Sequence, residues 1–136
     1  MKKWILMMSL TLPGTAAFAD DVRETDRLLC SNNQVLVCVH SVECLAVPND
    51  VVETPQFVVI DTKKKTISTT KGSGQQGSSK FTSLSREGGL IMAQGARDER
   101  VFSFVIDEAT GTFTGSVASD GYTINSFGAC TDADVD

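Results

Sequence analysis

VFSFVIDEATGTFTGSVASDGYTINSFGAC, residues 101–130, is the stretch that decides the fold. Phe102, Phe104 and Ile106 alternate with Val101, Ser103 and Val105, the period of two that marks a strand. Residues 107–111 (DEATG) make a turn, residues 112–118 alternate again, and a third strand from Tyr122 leads into Cys130. The stretch is a β-meander that ends on a cysteine. An echo lies upstream: VVIDTKKKTIST (58–69) overlays FVIDEATGTFTG (104–115) at a constant offset of 46. Asp61 then falls on Asp107, Thr66 on Thr112, Ile67 on Phe113 and, further along, Phe81 on Phe127.

Outward from these two hairpins, the chain reads as more short strands. Residues 34–40 (QVLVCVH) are rich in β-branched side chains and predict a strand, with residues 44–47 as its return partner before Pro48. Residues 80–85 predict a weaker strand and 90–93 a strand, around a turn at Gly88-Gly89, and 95–100 (GARDER) a charged loop. Residues 71–79 (KGSGQQGSS) have nothing apolar to bury and predict a loop. Eight or nine short strands without an amphipathic helix predict an all-β domain. The repeated strand-turn-strand unit predicts a small antiparallel up-and-down barrel, with a two-sheet sandwich as the alternative. Phe104, Ile106, Phe113, Phe127 and Val37 are its expected core.

The first residues set the compartment. A basic start at Lys2-Lys3, an apolar run over 4–12 and the small-residue site at 17–19 (AFA) have the form of a secretory signal peptide cut after Ala19. The run is too short for a membrane span, which needs about 20 residues. One domain over 20–136 then remains, with 20–27 and 131–136 expected as loose ends. Of 12 basic residues Lys2 and Lys3 are lost, so 10 face 17 acidic ones and the net charge is −7. An acidic surface disfavours nucleic acid and anionic membranes as partners. A periplasmic or secreted monomer is expected.

All four cysteines lie beyond the cut, and an even number in an exported chain predicts two disulfides rather than a metal site. Their spacings of 7, 5 and 85 intervening residues contain no zinc knuckle. A turn at residues 31–34 (SNNQ) would put Cys30 opposite Val35, so Cys30 and Cys38 would not face each other. A bend at residues 40–42 pairs Cys38 with Cys44 on one face. Cys30 is left for Cys130, joining the first strand to the last.

Catalytic patterns are sparse. His40 is the one histidine, no serine stands in a G-x-S-x-G elbow, and Gly72-Ser73-Gly74 lacks the Lys-Ser/Thr of a phosphate loop. Asp61 and Asp107 are equivalent in the repeat and could be paired hydrolase carboxylates. Each stands where a strand enters a turn, where Asp bonds the following backbone. Lys63-Lys64-Lys65 reads as a solvated hairpin tip, and Asp132, Asp134 and Asp136 lack the Gly and Glu of a calcium loop. No catalytic, cofactor or metal residues are therefore assigned.

The leader, the four cysteines, FSFVIDEATGTFT (102–114) and the closing FGAC (127–130) together resemble a loose group of small exported β-rich proteins of Gram-negative bacteria. Those share an early cysteine, a short cysteine pair, a D-x-x-T-G hairpin and a terminal G-x-C. The resemblance implies a compartment and a stapled β fold and names no activity. A more distant likeness is to periplasmic lysozyme inhibitors, also small disulfide-bonded barrels, whose signature loop residues have no counterpart here. The expected function is a non-enzymatic binding module for a protein, in the manner of a lysozyme inhibitor, or for an envelope component. A carrier of a small apolar ligand and a carboxylate-based hydrolase are the alternatives.

Overall fold

A computed structural model describes residues 20–73 and 76–134. The expected leader, residues 1–19, lies outside the described residues, as do two positions of the 71–79 segment and the last two of the tail. The strands are β1 (Arg27–Val39), β2 (Leu45–Val47), β3 (Phe57–Asp61), β4 (Thr66–Thr69) and β5 (Ser78–Lys80), followed by β6 (Ser83–Glu87), β7 (Leu90–Arg97), β8 (Arg100–Asp107), β9 (Thr112–Ser119) and β10 (Tyr122–Asp132). Helical structure among the described residues is limited to 3-10 turns at Asn49–Val52 and Lys71–Ser73. No helix there is long and apolar enough to cross a membrane.

All ladders are antiparallel, in the order β5-β4-β3-β1-β10-β9-β8-β7-β6, with β2 on the far half of β1. Sequence neighbours are sheet neighbours almost throughout, and β1 returns to β10. The two ends of this path, β5 and β6, are joined by Phe81-Thr82 alone. The Phe81 N–H bonds the Lys65 carbonyl (2.8 Å) and the Thr82 N–H bonds the Gln94 carbonyl (2.9 Å), so one short link touches both ends of the sheet. The chain is all-β, a single antiparallel sheet curled into a half-barrel.

β1 organises the molecule. The expected turn at 31–34 does not form, because the strand runs straight through it with a bulge between Asn32 and Gln34. Before the bulge β1 pairs with β3, and after it with β2, so the extra residue marks the change of partner. Continuous pairing with β10 on the other edge outweighs the turn preference of Ser and Asn. Cys30 lies directly opposite Cys130 in that ladder, not opposite Val35. The disulfides are Cys30–Cys130 and Cys38–Cys44, Cα atoms 4.0 and 4.1 Å apart. The β1–β2 register, Val37 against Leu45, places Cys38 across from Cys44 as the expected bend requires.

The internal repeat is real at atomic level. Ile60 pairs with Ile67 and Ile106 with Phe113, the same register 46 residues apart. Both hairpins turn on an aspartate: Asp61 Oδ1 accepts from the Lys64 N–H (2.8 Å), and Asp107 Oδ1 from Ala109 and Thr110 N–H (2.9 and 3.0 Å). The expected charged loop over 95–100 is instead a tight hairpin, Arg97 opposite Arg100, with Asp98 and Glu99 both at positive φ.

The core gathers at one end of the half-barrel. Leu28, Ile60, Ile91 and Ile106 are fully buried there with Cys30–Cys130, and Phe81, Phe104 and Phe113 form an aromatic contact chain at 5.1 and 5.8 Å between ring centroids. Of the expected core, Phe104, Ile106 and Phe113 are buried, whereas Val37 is half-buried and Phe127 is 41% exposed. Cys130 points inward, and alternation along β10 puts Ser126 and Ile124 inward with it and Phe127 outward.

The N-terminal segment is not loose. Val22 is completely buried against the core, and its N–H bonds the Glu108 carbonyl (2.8 Å). The Arg86 guanidinium holds the segment by donating to the carbonyls of Val22, Arg23 and Thr25 while pairing with Glu108 at 2.7 Å. The start of the expected tail is also tied down: Thr131 and Asp132 belong to β10, the Ala133 N–H bonds Arg27, and Asp134 pairs with Arg27.

Candidate functional site

Strand length decides where the inner face is left uncovered. β1 has 13 residues and β10 has 11, but β3, β4 and β5 facing them have only 5, 4 and 3. The far halves of β8, β9, β10 and β1 therefore run past the opposite wall. Inward positions there are small at Gly115 and Ser126, which leaves a hollow above the rings of Phe104 and Phe113. A cleft of about 280 Å³ opens at this end, walled by Ile67, Phe102, Val117 and Ile124.

The remaining wall is the loop after β2, contributing Val52 and Pro55. Asn32, the buried residue at the β1 bulge, positions it. Its Nδ2 donates to the Pro55 carbonyl (2.6 Å), its N–H to Gln56 (2.8 Å), and its own carbonyl accepts from Asn49 Nδ2 (3.0 Å). The asparagines expected to turn the chain instead bulge it, and the bulge holds one side of the cleft. Charge at the rim is balanced: Arg97 and Arg100 stand with Asp98 and Glu53, and Arg97 Nε pairs with Asp98 at 3.1 Å.

Beside the cleft the surface is unusually apolar. Val39 (48% exposed), Val42, Leu45 (61%) and Val51 all lie within residues 39–51, half of the large exposed apolar side chains among the described residues. The Cys38–Cys44 bond closes the β1–β2 bend that carries Val39, Val42 and Leu45. On β1 and β2, Val37 and Leu45 share the face of Ile124, so this rim continues the cleft wall.

The residues weighed for chemistry are dispersed. His40 sits exposed on the bend, its N–H bonded to the Gly121 carbonyl. Asp61 and Asp107 are engaged in their separate turns and do not line the cleft. Lys63 pairs with Asp26 at 2.7 Å, while Lys64 and Lys65 are exposed. Asp132 accepts from Thr25 Oγ1 and from the Asp134 N–H. No cluster of three or more His, Cys, Asp or Glu that could hold a metal occurs among the described residues.

Perturbed titrations gather at the closed end, away from the cleft. Arg23 bonds Asp21 and holds its carboxyl down to about 2. Lys63 lowers Asp26, with Thr62 and Arg86 adding to the effect, and Asp26 raises Lys63 in return. The Asp26–Lys63 pair fastens the N-terminal segment to the β3–β4 turn, whereas the Asp21–Arg23 pair lies within the segment.

Nothing in the sequence marked the cleft. Its lining comes from separate strands, and its hollow from Gly115 and Ser126, small residues whose inward aim depends on register. The apolar rim residues read as ordinary strand formers. No family model matches the chain, and no curated protein or solved structure matches it either.

Proposed function

We propose that the chain is a non-enzymatic binding module of the periplasm or of secreted material, engaging a protein or envelope component through its open end. Two disulfides suit an oxidising, extracytoplasmic compartment. The observation that carries the reading is an apolar cleft, lined by Ile124 and Val52, next to a segment, residues 39–51, that leaves Val39, Val42, Leu45 and Val51 exposed. Exposed large apolar side chains gathered in one segment, with charged neighbours, characterise interaction sites. The acidic balance of the chain would steer it toward a basic partner such as a lysozyme, in keeping with the likeness to lysozyme inhibitors.

The test compares the chain from Asp20 onward with Val42→Asp and Leu45→Asp variants, each first shown to keep its β circular dichroism. Bait of each is incubated with envelope extract and, separately, with lysozyme in a cell-wall lysis assay. Capture or inhibition by the parent chain, lost in both variants, is the expected result. Unchanged capture by the charged variants would remove the open end from consideration.

The cleft volume favours a second reading, a carrier of one small apolar ligand. About 280 Å³ is close to the lower limit for small-molecule pockets. Ser126→Leu, which fills the hollow, should then abolish uptake of an apolar fluorescent probe while leaving protein capture intact.

A further inference from the structure

The outward face of the long strands has a property that the cleft does not share: it carries no charge. The ladders place Ser83, Gln94, Ser103, Ser116, Asn125 and Leu36 in one row across β6, β7, β8, β9, β10 and β1. The next row is Ser85, Met92, Val105, Thr114, Phe127 and Gln34. A third is Ala96, Val101, Ala118, Thr123 and Cys38. None of these residues is buried, and none is acidic or basic. Charged residues make up 21% of the whole chain, so three successive uncharged rows depart from its general surface. Charge returns one row further, at Glu87 and Asp107.

Val105 (40% exposed) and Phe127 (41%) stand in one outer row, joined through Thr114, and Val101 (56%) stands in the other, with the row of hydroxyls and amides between them. Depletion of charge, with exposed aromatic and aliphatic side chains set among hydroxyls and amides, is a mark of protein interfaces. We propose that this face docks a second copy of the chain about a two-fold axis, in place of the monomer expected from the sequence. Two arguments select a copy over another partner. A two-fold contact sets each patch against itself, so the patch must be self-complementary. Ser, Thr, Asn and Gln side chains both donate and accept, and satisfy that demand, whereas a patch of one charge sign would not. The chain is also net acidic, so two copies repel over most of their surfaces and this face is where they meet without opposed like charges.

Size sets the strength. Laid flat, six strands about 4.8 Å apart and three rows about 6.8 Å apart would span roughly 600 Å² on each copy, and the curl of the half-barrel brings less than that into contact. A standard interface covers about 800 Å² per partner, so the dimer should be reversible in the micromolar range.

Sedimentation velocity on the chain from Asp20 onward, from 5 to 500 µM in ordinary buffer, should show mass rising from monomer to dimer. Raising the salt about tenfold should strengthen association, because the face has no ion pairs to screen and the mutual repulsion is weakened. Thr114→Glu and Gln94→Glu, both outward on exposed strand positions and away from the cleft lining, should each weaken it at least tenfold while leaving circular dichroism and capture through the open end unchanged. A monomer at every concentration would overturn the proposal. So would dimerisation that survives both variants, or that is abolished by salt.

Discussion

Lys65 and Gly111 occupy the same place in the two copies of the hairpin, and both have positive φ, 54° and 68°. A side chain in that region is strained by about 1 kcal/mol, which glycine escapes. Lys65→Gly should therefore stabilise by up to about 1 kcal/mol. The reverse change is blocked twice over, because a methyl on Gly111 would also press on the carbonyl oxygens of Cys130 and Asp20. Gly111→Ala should destabilise by about 2 kcal/mol or more, within the range for combined strain and overpacking. Urea midpoints for the two variants should move in opposite directions; movement in the same direction would break the equivalence of the hairpins. Phenylalanine 104 and 127 make a second contrast. Phe104→Ala opens a cavity among the rings of Phe81 and Phe113 and should cost about 3 to 5 kcal/mol. Phe127→Ala, on the outer face, should cost below about 1 kcal/mol.

At the scale of the element, the segment from Asp20 to Asp26 is a strap that depends on charge. Asp26 meets Lys63 and Arg86, and Thr62 Oγ1 donates to it (3.3 Å). Its carboxyl is held below the usual range chiefly by Lys63, as that of Asp21 is by Arg23. A carboxyl depressed in the fold lends stability above its unfolded pKa and withdraws it as pH falls through the folded value. The strap should hold at neutral pH and loosen as pH falls below about 4, through the lowered value of Asp26. Hydrogen exchange would report this at the Val22 amide, whose protection should fall over that window while the β1–β10 ladder stays protected. Lys63→Met should make the loss smaller and complete it at a higher pH, its start being set by the unfolded carboxyl. Constant Val22 protection down to pH 2.5 would show that burial of Val22 alone secures the strap.

For the whole molecule the two disulfides have unequal reach. Cys30–Cys130 closes a sequence separation of 100 and clasps β1 to β10, whereas Cys38–Cys44 closes a separation of 6. Loop entropy gives about 4.7 kcal/mol for the long closure and about 2.4 for the short one. Replacing Cys30 and Cys130 together by Ala should lower the global melting temperature the more. The Cys38/Cys44 double replacement should act mainly on the exchange rates of residues 40–47 and on capture at the open end. Equal melting losses would mean that the β1–β10 pairing holds without its clasp.

Local patterns in the chain were enough to establish the all-β class, the two hairpins in matching register, both Asp-led turns and the pairing of all four cysteines. Each depends on residues close together in sequence or, for the cysteines, on which pairs can share a face. The pairing came out correctly although the turn expected at residues 31–34 is a bulge, because the bend at His40 alone sufficed to join Cys38 to Cys44. Tertiary structure decided the rest. The aim of Phe127 depended on the parity set by Cys130, since a shift of one residue reverses every side chain of a strand. The burial of Val22 depended on Arg86, 64 residues away. The cleft depended on short β3, β4 and β5 facing long β8, β9, β10 and β1, and the uncharged outer face on five ladders aligning neutral positions. Such features belong to register and relative length between distant strands, which no local stretch of the chain encodes.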